Sequence, residues 1–384
     1  MIYEFATATR IIFGRGAIQQ TGSIIEALGK KALVVTGKTE ERATPLLLQL
    51  RSNTIEWVVY CVSSEPSIQI IQAGIEKARQ HHCDMVVSIG GGSALDAGKA
   101  IAILMTNSGD IYDYLEVIGK GLPFRNPALP FIAIPTTAGT GTEVTRNSVL
   151  FSPEHQVKVS LRSALMLPRV AIVDPQLTYD LPAEITVSTG LDALTQLIEP
   201  FVSSIPNPLT DPTCREGILK ASRSLKKVYE NGNDYEAREA MSLASLFGGL
   251  ALANAKLGAI HGFAGPIGGM FPAPHGMICA SLLPYVFEAN INAIRRREPK
   301  NPALERFLLV SRWLTGKDQA KLEDGIAWLF DLCKSLNVPS LRDFSIPETH
   351  LQLVVEKAKI SSSMRGNPIK LSDDEMMQIL IRAL

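Results

Sequence analysis

Continuous apolar runs rich in β-branched residues alternate with amphipathic stretches through the first half of the chain. The runs are Ala32–Thr36, Glu56–Val62, Asp84–Ile89, Phe131–Ile134 and Val170–Val173, and helical spacing of apolar positions fills the intervals, as in Ser67–Gln80 and Ser93–Met105. Strands without polar alternation are covered on both faces, and strands separated by helices pair in parallel. This half is expected to be an α/β domain with a parallel sheet. Past Pro182 strand-like runs almost vanish, and long helical patterns take over at Ala183–Ser203, Asp211–Tyr229, Asp234–Asn254 and Met277–Arg295, with several more to Leu384. That half is expected to be all-α. The change falls within Asp174–Pro182, so the pattern predicts domains at 1–181 and 182–384. No internal repeat or low-complexity segment interrupts either half.

Composition narrows the function classes. The 384 residues are 46% apolar and 20% charged, a globular balance long enough for two cores. Lys plus Arg number 38 and Asp plus Glu number 38, so no net field draws the chain to nucleic acid or anionic lipid, and neither partner is expected. The first residues carry acid and polar side chains where a signal peptide needs an apolar core, and no run reaches the ~18 uninterrupted apolar residues of a membrane span. The expectation is a cytoplasmic protein. Its five cysteines are scattered and never form C-x-x-C, so they read as reduced thiols, mostly buried. The run Arg295–Arg297 reads as a solvated helix end rather than an anion site.

Two loops carry candidate phosphate chemistry. Asp84–Lys99 reads as a buried strand, a triple-glycine turn and a helix. Gly90, Gly91 and Gly92 are expected to take positive φ and to let backbone N–H groups approach a ligand. Ser93 followed by Asp96 resembles a capping box that would aim the positive end of the helix at the turn, a site suited to a pyrophosphate. The pattern is not G-x-G-x-x-G, and a plain strand-to-helix turn explains three glycines equally well. The second loop, Pro135–Glu143, crowds Thr136, Thr137, Thr140 and Thr142 around two glycines after a strand. Loops at the carboxyl ends of parallel strands are where open α/β sheets bind ligands.

The helical half carries candidate metal chemistry. Asp192 and Gln196 stand at i and i+4, on one helix face. His261 and His275 are the only histidines between Gln156 and Thr349. A carboxylate and two imidazoles suit a divalent first-row ion with open positions for a substrate oxygen. An apolar-flanked histidine is also an ordinary core residue, and spacing alone does not decide between the two.

Taken in order, GGGSALDAGKA, PTTAGTGTEVT, GLDALTQLIE with NPLTD after it, and IHGFAGPIGGMFPAPHG with SLLP after it resemble the iron-containing (group III) alcohol dehydrogenase family. The resemblance runs from Phe13–Gly16 to the C-terminal helices. It implies an N-terminal dinucleotide-binding domain, an all-helical C-terminal domain, and a divalent metal, Fe²⁺ or Zn²⁺, in the cleft between them. It implies hydride exchange between NAD(P)H and a small alcohol/aldehyde pair, in a homodimer or larger homo-oligomer. By motif, Gly90–Ser93 and Asp96 become the pyrophosphate loop and helix start. Thr136, Thr137, Thr140 and Thr142 become the second cofactor loop, and Lys158 a cofactor-contacting lysine. Asp192, His261 and His275 become metal ligands and the catalytic centre, and the fourth ligand, normally histidine, falls on Gln196.

The chain departs from the family pattern in places that matter chemically. Glutamine is a far poorer partner than imidazole for Fe²⁺ or Zn²⁺, so the ion is expected to be weakly held. The histidine of H-x-x-x-H-P-L-G-G is replaced by Gly265. After the Ala32–Thr36 strand, Gly37 stands where the family often has an aspartate for the adenosine ribose, and Lys38 follows, which favours NADPH. Three alternatives stay open: a reductase of a charged substrate, resembling maleylacetate or phosphonoacetaldehyde reductases; the related dehydroquinate synthase class; and a nucleotide-binding relic with an impaired metal site.

Overall fold

The structure is a computed structural model that describes residues 2–155 and 157–384. The chain forms two compact units. One contains Ala6–Thr137 and Gly141–Asp180; the other contains Leu181–Leu384, the short loop Ala138–Thr140 and an N-terminal stretch ending at Phe5.

The first unit runs β1 (Arg10–Phe13), α1 (Thr21–Glu26), β2 (Lys31–Thr36), α2 (Thr44–Ser52), β3 (Glu56–Cys61), α3 (Ile68–Gln80), β4 (Met85–Gly90), α4 (Gly92–Thr106), α5 (Ile111–Tyr114), β5 (Phe131–Pro135), β6 (Asn147–Ser152), β7 (Val157–Arg162) and β8 (Val170–Val173). Six of these strands form a parallel sheet in the order β1-β8-β5-β4-β2-β3. Successive side chains feed two separate cores, as a sheet covered on both faces requires. Leu33, Val35, Val86 and Ala133 enter one, and Ala32, Val34, Val87 and Ile132 enter the other. From β2 the chain moves to β3 on one side and to β4 on the other, so strand order reverses between β2 and β4. Crevices outside such a reversal, at the carboxyl ends of the strands, are where doubly wound sheets bind ligands.

Two features differ from the sequence pattern. Strand β1, only four residues long, is a sheet edge that the continuous-run criterion passes over. Strands β6 and β7 form an antiparallel hairpin; Ser148, Leu150, Ser152, Val159 and Leu161 face inward while their neighbours are more exposed, the period of a half-buried ribbon.

The start of α4 corrects two expectations. Its N-cap is Gly91, in extended backbone and without a side-chain cap, and Ser93 lies inside the first turn, so no Ser93–Asp96 capping box forms. Nor do Gly90, Gly91 and Gly92 adopt positive φ. Close packing demands glycine instead: a Cβ on Gly90 would stand 2.7 Å from the Ala94 Cβ and 3.3 Å from the Gly37 nitrogen. Asp96 turns away from the helix start. One of its oxygens accepts from the Val149 N–H at 3.2 Å and the other has no hydrogen-bond partner.

One turn further, Lys99 is fully buried. Its ammonium donates to the carbonyls of Thr142, Thr145 and Asn147 at 2.8–2.9 Å and to the Thr145 hydroxyl at 2.9 Å. Burial pushes the lysine down to about 8, against the opposing pull of Asp96 and Glu143. The same burial raises Asp96 to about 6 and Glu143 to about 7, with Lys99 opposing both. Lys99 thus pins the Thr/Gly-rich loop after β5 to α4.

The second unit is helical: α6 (Ala183–Val202), α7 (Asp211–Glu230), α8 (Tyr235–Asn254), α9 (Ala259–Met270), α10 (His275–Arg297), α11 (Ala303–Thr315), α12 (Leu322–Ser335), α13 (Leu351–Ile360) and α14 (Asp373–Ala383). One continuous core joins them, with Leu191, Leu194, Phe263, Ile278 and Leu282 at its centre. Helix α10 is long and apolar enough to cross a membrane, but 72% of its apolar window is buried inside the protein, as in a core helix. The basic end of α10 forms surface pairs, Arg295 with Glu323 and Arg296 and Arg297 with Glu375. The five cysteines are free thiols, Cys61 exposed and the others buried.

Replacing Lys99 with Met removes the cation and its donors together. The Thr142, Thr145 and Asn147 carbonyls then lose their donor, and Asp96 and Glu143 lose their counter-charge. Leaving buried acceptors without their charged donor costs about 1–3 kcal/mol. Denaturant unfolding of Lys99→Met should show a loss of that size; a loss below about 1 kcal/mol would contradict the pinning role.

Candidate active site

In the α/β unit, strand register gathers one group of candidate residues. Thr36 pairs with Ile89 and Gly90 pairs with Pro135, so the loops after β2, β4 and β5 leave one edge of the sheet side by side. The Thr136 N–H donates to the Gly90 carbonyl at 2.9 Å, and a Cβ on Gly91 would come within 3.3 Å of the Thr137 methyl. The first turn of α4, uncapped by any side chain, opens at this edge and can hold an anion by its N–H groups. Gly37, Gly90, Gly91, Gly92, Ser93, Thr136 and Thr137 are therefore gathered together. Gly141, at φ 59°, starts the short turn Thr142–Val144, where Thr142 is buried. Thr140 belongs to the other unit. Lys38 is exposed, and a Cβ on Gly37 would meet nothing within 4 Å. Lys158, on β7, is committed to an ion pair with Glu65 at 2.6 Å, its side chain only 8% exposed.

Within the helical unit, three helices build a group of their own. On α6, Asp192, Gln196 and Glu199 share one face at i, i+4 and i+7. All three are buried. Gln196 Nε2 donates to Asp192 Oδ2 at 2.8 Å. Glu199 reaches the start of α9, where Oε1 accepts from the Ile260 N–H at 2.7 Å and Oε2 lies 2.6 Å from His261 Nδ1. Asn367 accepts from the neighbouring Ala259 N–H at 3.1 Å, so α9 is capped by residues distant in the chain. Glycine permits this at Gly258, where a Cβ would stand 2.9 Å from Glu199 Oε1. It does the same at Gly276, where a Cβ would stand 2.3 Å from the Ser188 carbonyl, so that the start of α10 lies against α6. His275, the first residue of α10, is thereby delivered one turn beyond Ser188, beside Asp192.

The result is a convergence of donor atoms. His261 Nε2 lies 3.4 Å and His275 Nε2 3.9 Å from Asp192 Oδ1. Cys279 Sγ, one turn along α10, lies 3.8 Å from His275 Nε2. The ligand atoms of Asp192, His261, His275 and Cys279 all fall within 4.8 Å of one another. Asp192 Oδ1 and His261 Nε2 are buried without hydrogen-bond partners. Buried polar atoms are rarely left so, and a divalent cation among them satisfies both. The residues present thus fit a metal ion.

The electrostatics agree. Burial alone would raise the Asp192 carboxyl, but the His261 ring 3.4 Å away, together with His275 and the Gln196 N–H, holds it below the usual range. Burial alone would neutralise His261, but Glu199 and Asp192 outweigh it and raise the imidazole to about 10. The pocket is anionic enough to retain a cation, and in the absence of a metal it retains a proton on His261.

Asp192, His261 and His275 are the residues that the sequence singles out, and the fold brings them together. Gln196 adjoins them but offers Asp192 its amide N–H. Two partners were not read from the sequence. Glu199 was visible only as the i+7 position of Asp192's helix face, and Cys279 only as the i+4 position from His275. At Gly265, one turn beyond His261, an added Cβ would meet nothing within 4 Å.

Comparison with known proteins bears on the whole chain. The model of the iron-containing alcohol dehydrogenase family matches residues 8–175, and that of the Fe-containing alcohol dehydrogenase family, C-terminal, matches residues 186–384. A 1,3-propanediol dehydrogenase of Citrobacter freundii is 34% identical, covering 100% of this chain and 99% of its own. An NADPH-dependent butanol dehydrogenase of Clostridium saccharobutylicum is 33% identical over 98% of this chain and 96% of its own. The crystal structure of a 1,3-propanediol oxidoreductase superposes with a TM-score of 0.93 at 34% identity, each chain covered completely. Family membership implies NAD(P) and a divalent metal, and the donor atoms around Asp192 accord with the second. The chain belongs to the iron-containing alcohol dehydrogenase family, as an oxidoreductase acting on CH–OH groups.

Proposed function

We propose that the protein interconverts a small primary alcohol and its aldehyde, with NADPH as the favoured cofactor and with Asp192, His261 and His275 holding the metal. The observation that carries this reading is the buried pair Asp192 Oδ1 and His261 Nε2, 3.4 Å apart and without hydrogen-bond partners, with His275 Nε2 3.9 Å from the same Asp192 oxygen. A bound divalent ion supplies Lewis-acid polarisation of the substrate C–O bond, while NAD(P) donates or accepts the hydride. The chain's own residues prepare the site. Glu199, bound to His261 Nδ1, fixes the ring so that Nε2 faces Asp192. Gly90–Ser93 and the start of α4 receive the pyrophosphate. Thr136, Thr137, Thr140 and Thr142 line the cofactor loop, and Asp96 and Lys99 hold α4 and that loop in place. Space beside Gly265, without an imidazole, leaves the hydroxyl proton to be exchanged with water. The family resemblance further supports a cytoplasmic homodimer or larger homo-oligomer.

Cofactor choice rests on Gly37 and Lys38. Gly37, directly after β2, has no carboxylate to repel a 2′-phosphate, the nearest acids being Glu40 and Glu41 in the next turn, and the exposed Lys38 ammonium can attract one. Gly37→Asp is sterically free and should shift the kcat/KM ratio toward NADH by tenfold or more, about 1.4 kcal/mol of discrimination. A wild-type preference for NADH that Gly37→Asp leaves unchanged would overturn this assignment.

Metal dependence is the second expectation. Added Zn²⁺ or Fe²⁺ should raise both the melting temperature and aldehyde reduction, because a ligand that binds only the folded protein stabilises it by mass action. Chelation should reverse both, and His275→Ala should abolish the response. The sign of the pH dependence follows from His261. Its value, raised to about 10, means that the Glu199–His261–Asp192 contact stabilises the metal-free protein fully below ~6.5 and less as pH rises through about 10. Metal must displace the Nε2 proton, so the metal-induced rise in Tm should grow from pH 6 to pH 8. Full activity after chelation, with no ion shifting the Tm, would contradict the reading.

A further inference from the structure

Gln196 occupies the position that the family resemblance assigns to a metal ligand, yet it turns its amide N–H to Asp192, while its Oε1 is buried without a hydrogen-bond partner on the side of Gly248. Its Nε2 donates to Asp192 Oδ2 at 2.8 Å. Turning the amide over would set Oε1 against the carboxylate oxygen, two acceptors in contact with no proton between them. The amide therefore satisfies one Asp192 oxygen and leaves Oδ1 as the oxygen available to an ion.

A different side chain completes the donor set. Cys279 is fully buried on α10, one turn from His275, with its sulfur 3.8 Å from His275 Nε2. Tetrahedral zinc has bonds of roughly 2.0–2.1 Å to oxygen and nitrogen and about 2.3 Å to thiolate, which set ligand–ligand edges of about 3.3 Å for N/O pairs and about 3.6 Å for N/S pairs. The edges here are 3.4, 3.9 and 3.8 Å, and no pair of donor atoms exceeds 4.8 Å. Four donors have six such edges, and the 4.8 Å bound on the remaining three means that closing the set around one ion takes side-chain adjustments of at most roughly 1.5 Å on any edge.

We propose that Cys279 is the fourth metal ligand, that Gln196 is a positioning residue for Asp192, and that the resulting Asp-His-His-Cys site prefers zinc to iron(II). The proposal rests on the metal-dependent reading above. Ligation exchanges the S–H bond for an S–metal bond and releases the proton to solvent; no electron moves. Thiolate is the soft donor that zinc accepts more readily than a carboxylate- and imidazole-bound iron(II) does. Zinc also expands to five-coordinate, so four protein donors still admit a substrate oxygen.

Cobalt(II) in place of the native ion reports the donors directly. The metal-free full-length protein titrated with Co²⁺ should develop visible ligand-field bands and an intense near-ultraviolet thiolate-to-cobalt band. Cys279→Ser should lose the near-ultraviolet band and keep the visible ones, which also shows that the variant folds. Cys61→Ser and Gln196→Ala should keep both. Zinc affinity, by competition with a chelator, should fall about 100-fold or more in Cys279→Ser, since even outer-shell partners of a metal are worth roughly 10–100-fold. Manganese(II) affinity should fall less than tenfold. Visible bands without the near-ultraviolet band in the wild type, or a near-ultraviolet band that survives Cys279→Ser, would overturn the role of Cys279 while leaving the metal site intact. The absence of any cobalt spectrum would overturn the metal site as well.

Discussion

Two carboxylates buried in an apolar helical core are the constraint around which the helical unit is arranged. Asp192 and Glu199 are both nearly inaccessible, and an isolated buried carboxylate is costly. Each needs donors or positive charge from elsewhere in the chain. Glu199 is satisfied by a helix start and an imidazole; Asp192 is satisfied on one oxygen by Gln196 and is left open on the other. The packing follows from these demands: Gly258 brings α9 onto Glu199, and Gly276 brings α10 against α6. The site is therefore a consequence of how three helices solve a desolvation problem, with the remaining charge requirement left for a cation.

The α/β unit shows the same logic with the opposite sign. Lys99 is a buried cation whose partners are loop carbonyls and two carboxylates of shifted protonation. It holds the Thr/Gly-rich loop in register with the turn after β4. The uncapped start of α4 then presents its N–H groups beside the reversal of strand order, where they can hold an anion.

Much of this was legible in the sequence because the relevant signals are local. Buried parallel strands read as continuous apolar runs, and the long helices read from their period. The motif residues Asp192, His261 and His275 stood out as one carboxylate and two isolated imidazoles. What was not legible depends on contacts between distant segments. Gly90–Gly92 read as positive-φ residues, but none adopts positive φ, and Gly90 is required instead by close contacts, among them the Gly37 backbone that only the packed sheet brings near. Ser93 and Asp96 had capping-box spacing, but the helix begins one residue before Ser93 and Asp96 is drawn to Val149. Glu199 lay inside a helical motif with nothing to mark its partner 62 positions away. Cys279 was read among scattered buried thiols, because a lone cysteine acquires meaning only when a histidine and a carboxylate are placed beside it.

On the reading proposed above, the open oxygen of Asp192 and the open nitrogen of His261 hold a divalent ion. Anomalous diffraction at the zinc edge, from crystals of the protein grown with Zn²⁺, tests it directly. One strong peak per chain is expected within ~2.0–2.2 Å of Asp192 Oδ1, His261 Nε2 and His275 Nε2, with Glu199 still bound to His261 Nδ1. A peak confined to surface residues, with Asp192 and His261 unmoved and no density between them, would contradict it.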